Sequence, residues 1–446
     1  MTQQTQQTEQ TEQPWPQSRA AWSMVVLLTI AYVFSFVDRG ILGLLIEPIK
    51  ADLQLKDEDL GYLIGPAFAL FYATMGLPLG WLADRRRRTW IVAAGIALWS
   101  AATAASGLAR GFWHLFLARM GVGVGEAALS PCAMSMIGDS FPPERRGKPV
   151  AVYSAALSLG SGIASLIGAI VLTWAKTSEG IELPLLGAVK PWQFAFLVVG
   201  LPGILLAIAF LFVPEPARRS VETRTAPAAG GFSGGISHVR EHAGAFIGLF
   251  SLICVMTIIA YSHGFNPSAF ARKFGWLPRD YAWINGLMTL TIGPITVALV
   301  GTMCDRWRKA GQHDAPFRLL WIGFVLMLLS SIAALMMPTA LTAFVMLGLG
   351  TVGIGTVSVT GMVSLLDITP AAIRGQVVAL YYMVISITGL GLGPTSVGWL
   401  STRVFGEANL HLAISAVPLI YGLVPLLLIP AIRRHYLTEL ERTRAL

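Results

Sequence analysis

Twelve apolar segments, each long enough to cross a bilayer, follow one another along the 446-residue chain, and no single soluble core could bury them all. They run from about Trp22 to Ile46, Leu60 to Ala83, Trp90 to Ala109, Phe112 to Ile137, Val150 to Trp174 and Trp192 to Val213. The other six run from Ala245 to Phe270, Tyr281 to Cys304, Leu319 to Met337, Ala340 to Leu366, Val377 to Val404 and Leu410 to Ile432. Charged residues make up 13% of the chain, about half the share of roughly 25% in an ordinary soluble domain. The expectation is an all-α membrane protein whose twelve transmembrane helices form two six-helix bundles. Its parts would be a disordered cytoplasmic tail (1–20), an N-terminal bundle (21–213), a cytoplasmic linker (214–241), a C-terminal bundle (242–433) and a cytoplasmic tail (434–446).

The net charge of +8 raises the possibility of nucleic acid, but the basic residues are placed by topology. With both termini inside, 21 of the 32 Lys and Arg fall on the inner side and 9 in outer loops, which predicts a multi-pass protein of the cytoplasmic membrane with both termini cytoplasmic. No nucleic-acid partner follows. Cys132, Cys254 and Cys304 stand singly in or beside apolar segments, so neither a disulfide framework nor a metal site is indicated, and no cofactor is expected.

The two halves repeat each other. Gly80-Trp-Leu-Ala-Asp84-Arg85 returns as Gly301-Thr-Met-Cys-Asp305-Arg306, and Asp139, Arg146 and Gly147 return as Asp367, Arg374 and Gly375. A parallel repeat of six-span halves, with the substrate site between them near the midplane, is how the major facilitator architecture is built. The loop from Gly80 to Arg88 also resembles the signature loop of major facilitator superfamily transporters, with Arg87 where that pattern has a second Gly. The resemblance implies a conformational gate made of Gly80, Asp84, Arg85, Arg88, Asp139 and Arg146 with their counterparts Asp305, Arg306, Asp367 and Arg374. In it Asp84 caps or pairs near a helix end while Arg85 to Arg88 face cytoplasm and head groups, latching the outward-facing state.

Within that superfamily, Val37-Asp38-Arg39, the run from Arg119 to Glu126 and Phe141-Pro-Pro-Glu-Arg-Arg146-Gly resemble the Spinster group of lipid and lysolipid transporters, with the anion:cation symporters as the rival. The likeness covers Asp38 to Gly168 well; beyond that it holds at the level of the superfamily.

An ionisable residue at mid-helix costs on the order of 2.5 to 3.5 kcal/mol, so each needs a partner, a watery cavity or a task. Asp38 and Arg39 lie about 100° apart around their helix and need not pair. Arg119 and Glu126, seven apart, share a face without touching. The reading is that Arg119 holds an anionic head or a carboxylate, and that protonation of Asp38 or Glu126 releases it; the Spinster resemblance points to Asp38, Arg119 and Glu126 as the coupling set. Arg39 is a further candidate for substrate, as are Tyr261, His263 and Asn266, which precede a helix-breaking Pro267. Gly121-Val-Gly123-Val-Gly125 has no preceding strand and is a packing motif.

The predicted function is proton-linked alternating access by a monomer surrounded by membrane lipids. Its substrate would be an amphiphile with an anionic or zwitterionic head, such as a lysolipid, or alternatively a small organic anion. Ser, His and Asp converge in no span, so enzymatic chemistry is not expected.

Overall fold

The computed structural model describes residues 15–16, 18–142, 145–177, 182–183, 187–218, 233–370 and 373–445. Most of the expected N-terminal tail, the middle of the linker (219–232) and Pro143 and Glu144 lie outside the described residues. The rest is mostly helical, and twelve helices are long and apolar enough to span a membrane. Numbered in chain order, spans 1 to 6 are Ser18–Leu44, Asp57–Ala83, Arg88–Ser106, Phe112–Ser140, Gly147–Trp174 and Pro191–Leu211. Spans 7 to 12 are Ala243–Phe274, Pro278–Lys309, Ala315–Ala334, Ala340–Asp367, Arg374–Phe405 and Glu407–Arg444. A two-residue antiparallel pairing of Glu182 with Ala188 lies between spans 5 and 6.

Local chemistry explains the breaks. Span 2 is interrupted at Gly65, because Pro66 has no N–H to continue the helical ladder. Span 7 tightens into a 3-10 turn over His263–Phe265 before Asn266–Phe274 resumes, again with a proline in the new first turn. A short helix, Ser233–Glu241, occupies the end of the segment expected as a linker. Helix Leu410–Ala445 runs on through the segment expected as a tail, where Tyr436 is buried against Phe317 with ring centres 4.8 Å apart.

Packing reproduces the duplication seen in the sequence. Span 1 lies on span 5, span 3 on spans 4 and 6, and span 2 on span 4; in the second half span 7 lies on span 11, span 9 on spans 10 and 12, and span 8 on span 10. The halves touch chiefly through spans 2 and 11 and through spans 5 and 8, two pairs that the repeat exchanges.

These contacts divide the molecule along its axis. Away from the linker, at what is called here the far end, one buried cluster includes Ile41, Leu45, Leu60 and Leu63 of the first half with Phe265, Phe270, Val397 and Leu400 of the second. Toward the linker end each half has a cluster built mainly from its own residues, one around Trp99, Cys132 and Phe210, joined by Leu390 and Tyr261 of the second half, the other around Phe246, Phe317 and Tyr436. The halves are fused at the far end and separate toward the linker.

Spans 3 and 4 meet backbone to backbone: a Cβ on Gly125 would sit 2.6 Å from the Gly95 carbonyl oxygen and 2.7 Å from the Trp99 nitrogen. Only glycine fits there, which is the close approach expected of the Gly121–Gly125 run. Gly125→Val is predicted to lower the detergent melting temperature, by strain on the order of 1 to 3 kcal/mol. Gly138→Val, at an open position, serves as the unaffected control in the same melting experiment.

Candidate functional site

Four ionisable side chains of the first half converge where the far-end part of span 1 meets the first half of span 4. Arg39 donates to Glu126 Oε2 through Nε at 2.6 Å and through Nη2 at 2.5 Å. Its guanidinium lies over aromatic faces, 4.7 Å from the Phe68 ring centre, 5.0 Å from Tyr72 and 5.6 Å from Phe36. Such faces solvate a cation without carrying a charge that would compete for the carboxylate. Glu126 is buried, and its second oxygen, Oε1, has no hydrogen-bond partner among the described residues.

Asp38 points to a different surface from Arg39, as the helical angle requires. It is buried with Oδ1 unpartnered, beside Thr103 of span 3 and within electrostatic reach of Glu126 and both arginines. Arg119 is buried too. Its contacts are long ones at 3.4 Å, from Nε to the Leu63 carbonyl just before the break in span 2, and from Nη1 to the Asp38 carbonyl. The carboxylate expected on Arg119 is thus held by its neighbour Arg39, while Arg119 and Glu126 share a face without bonding. Two guanidinium groups and two carboxyls balance to zero charge when all are ionised.

The second half contributes Tyr261, which faces Arg39 and packs against the first half's cluster. Tyr32, stacked on Tyr153 at 5.0 Å, extends the aromatic wall toward the linker end. His263 and Asn266 do not join this group. His263 opens the 3-10 turn, and Asn266 is buried at the far end next to Phe265.

The gate residues divide into two repeated constellations at the linker end. Arg88 ion-pairs with Asp139, and Arg308 ion-pairs with Asp367. Arg146 Nε donates to the Phe141 carbonyl at 2.7 Å and Arg374 Nε to the Thr369 carbonyl at 3.1 Å, each bond spanning five residues. Asp84, Arg85, Asp305 and Arg306 are exposed, with Arg85 stacked 4.0 Å over Trp81, and Gly80 faces Pro131 of span 4. Arg218 binds the signature loop through the carbonyls of Asp84, Ala83 (2.8 Å) and Arg86 (2.6 Å).

Arg88 corrects the expectation that all four arginines of the loop face cytoplasm and head groups. As the first residue of span 3 it turns inward and is 1% exposed. Besides Asp139 it donates to Glu215 at 2.8 Å, Ser135 at 2.9 Å and the Pro216 carbonyl at 2.7 Å, so burial is compensated at every face. Glu215 also accepts from the Thr89 backbone N–H at 3.0 Å. Burial alone would raise the Glu215 pKa, but these donors hold its carboxyl below the usual value.

Sequence reasoning missed a cross-half latch at the far end. Asp57, 0% exposed, takes Arg272 of span 7 at 2.6 and 2.7 Å, Lys50 at 2.7 Å and Ser401 at 2.6 Å. Arg272 also binds Glu47 at 2.8 Å and the Glu407 carbonyl at 2.8 Å, Lys50 binds Glu407 at 2.6 Å, and Arg403 binds Glu58 at 2.8 Å. Beneath it a Cβ on Gly61 would lie 2.8 Å from the Pro394 carbonyl, and one on Gly65 would lie 2.8 Å from that of Leu390.

Two predictions follow from these networks. Breaking a buried ion pair costs on the order of 3 kcal/mol, so Asp57→Asn loosens the far end. A cysteine placed at buried Ser268 is then labelled by a membrane-impermeant maleimide roughly tenfold faster or more than in the Asp57 parent. For Glu215 the folded pKa is the depressed one, so its contribution to stability is full above the ordinary value near 4.5 and is lost as pH falls through the lower folded value. Melting curves from pH 7 to 3 show that acid loss, and Glu215→Gln flattens it.

Comparison with known proteins follows this geometry. Residues 28–394 match the model of the Major Facilitator Superfamily. An MFS-type efflux pump of Mycolicibacterium smegmatis is 31% identical over 333 residues, 73% of this chain and 70% of that protein. Human protein spinster homolog 1 is 30% identical over 205 residues, 45% of this chain and 36% of that protein's length. A bacterial homolog of the human lysosomal transporter Spinster, solved in an inward-facing and unoccupied conformation, has the same fold, with a TM-score of 0.81 at 22% identity over 95% of this chain and 99% of the other. The chain therefore belongs to the Major Facilitator Superfamily of transporters, and its relatives within it include the Spinster proteins.

Proposed function

We propose that the protein is a proton-linked secondary transporter that moves an amphiphile with an anionic or zwitterionic head group, such as a lysolipid, by alternating access. The observation that carries this reading is the part-buried Arg39–Glu126 pair, caged by aromatic rings and faced by Tyr261 from the other half. The pair already satisfies Arg39 with a carboxylate, so an anionic head can take Arg39 once Glu126 is neutralised by a proton. Glu126 Oε1 and Asp38 Oδ1, lacking protein partners, are the oxygens that accept it. Arg119 stands next to both carboxyls as the second cation, and its long bonds to backbone carbonyls are cheap to exchange for a phosphate or carboxylate. Tyr32, Phe36, Phe68 and Tyr72 supply an apolar wall for an acyl chain.

In this cycle the far-end latch holds the state open toward the linker, and the constellations of Arg88–Asp139 and Arg308–Asp367 keep each half rigid as it rocks. The protein works as a monomer in the cytoplasmic membrane, termini cytoplasmic, exchanging protons and substrate with water and with bilayer lipids.

The test is flux in vesicles containing the purified protein. Uptake of a lysophospholipid is predicted to saturate and to respond to an imposed pH gradient. Arg39→Ala and Arg119→Ala each reduce it tenfold or more, and Glu126→Gln leaves binding but abolishes the response to the gradient. Movement of small carboxylates with no lysophospholipid flux overturns the amphiphile assignment in favour of organic-anion symport. Lysophospholipid flux indifferent to the gradient overturns the proton linkage.

A further inference from the structure

His238 and His242 lie one helical turn apart where the linker helix joins span 7, and both rings face Glu439 on the last helix. One ligand atom from each comes within 4.8 Å of the others. The Nδ1 of His242 and Oε2 of Glu439 are 3.1 Å apart, close to the separation of about 3.3 Å between two donors bound 2.0 to 2.1 Å from one tetrahedral ion. The His238 and His242 ring centres are 4.6 Å apart.

Two further observations point to a ligand. Nε2 of His238 is buried without a hydrogen-bond partner among the described residues, and its ring lies beside the Ile368 backbone, where metal-bound imidazoles find an orienting contact. Glu439 is buried with the His242 ring as its partner, and a cation held between the two would answer its charge. Arg442 is the nearest competitor. Its Nη1 is 3.2 Å from Nδ1 and 3.1 Å from Nε2 of the His242 ring. It hydrogen-bonds that ring and would have to leave it for a metal to bind, which an exposed side chain can do.

We propose that His238, His242 and Glu439 form a site for a divalent transition metal of the zinc class, with the fourth position left to water or to Glu241, which lies beside His238 on the same helix. Two imidazoles and a carboxylate suit zinc, cobalt(II) or nickel(II) and disfavour magnesium or calcium. The linker helix is already joined to span 11 by the bond from the Gly235 N–H to Gln376 Oε1 at 2.6 Å. A bound metal adds a tie to span 12, and because Arg218 and Glu215 fasten the other end of the linker to the first half, the site sets how tightly the linker restrains rocking.

The test uses tag-free, chelator-treated full-length protein in detergent, titrated with zinc chloride and separately with cobalt chloride. About one equivalent is expected to bind, with a rise in melting temperature and the visible absorption of tetrahedral cobalt. His238→Gln and Glu439→Gln each weaken binding tenfold or more, while Arg442→Gln tightens it. If either histidine or glutamate variant melts early without metal, the strengthened Arg442→Gln protein still decides the matter. No stoichiometric metal in wild-type and Arg442→Gln protein, or binding insensitive to His238 and Glu439, overturns the site.

Discussion

Charge inside the membrane can be kept only where it is answered, and the middle of this protein is organised by that rule. Arg39, Arg119, Asp38 and Glu126 sum to zero when ionised, yet only one carboxylate–guanidinium pair is formed between them, that of Arg39 with Glu126. The remaining carboxyl oxygens and the remaining guanidinium are buried close together without being locked. On the function proposed, one proton and one anion rebalance this cluster. Aromatic rings around Arg39 make the rebalancing affordable, since they receive a cation whichever anion accompanies it.

The rest of the fold positions that cluster where two bundles meet. The duplicated contacts make spans 2 and 11 and spans 5 and 8 equivalent seams, and the far-end seam is closed by the network centred on Asp57 and Arg272 together with glycines that let backbones touch. At the linker end the strong bonds run within each half, as in Arg88 with Asp139 and Arg308 with Asp367. Rigid halves joined at one end are the mechanical requirement for rocking about a central site. The Arg88 cluster takes in Glu215 from the chain beyond span 6, so the start of the linker belongs mechanically to the first bundle.

Much of this was legible in the sequence, for identifiable reasons. Hydrophobic length alone dictates the spans, since a bilayer admits few alternatives to a helix of about 20 residues. The repeat was visible because its loops carry charged residues at fixed spacing, and the bonds of Arg146 and Arg374 turn that spacing into matching geometry. The four central charges stood out by their cost. Their pairing did not: helical angles say that Asp38 and Arg39 face apart, but only the packing of span 1 on span 4 says which arginine meets Glu126. The latch was illegible because Asp57 and Arg272 are 215 residues apart and each reads as an ordinary loop charge. Arg88 reads as one more loop charge for a related reason, its partners Asp139 and Glu215 being brought in by other elements. His238 and His242 did carry a local signal, their spacing of four, which gains meaning only when Glu439 arrives from the last helix.

On the function proposed, protonation of the central cluster and the opening of the far end are one equilibrium. Spin labels at Gly138→Cys and Gly375→Cys, open positions on opposite halves at the linker end, report it as a distance between the halves measured by electron resonance. The account predicts a long distance at neutral pH and a growing population at shorter distance on acidification with lysophospholipid present. Glu126→Gln should make that shift independent of pH. A single distance distribution, unchanged by pH, by lysophospholipid and by Glu126→Gln, would contradict it.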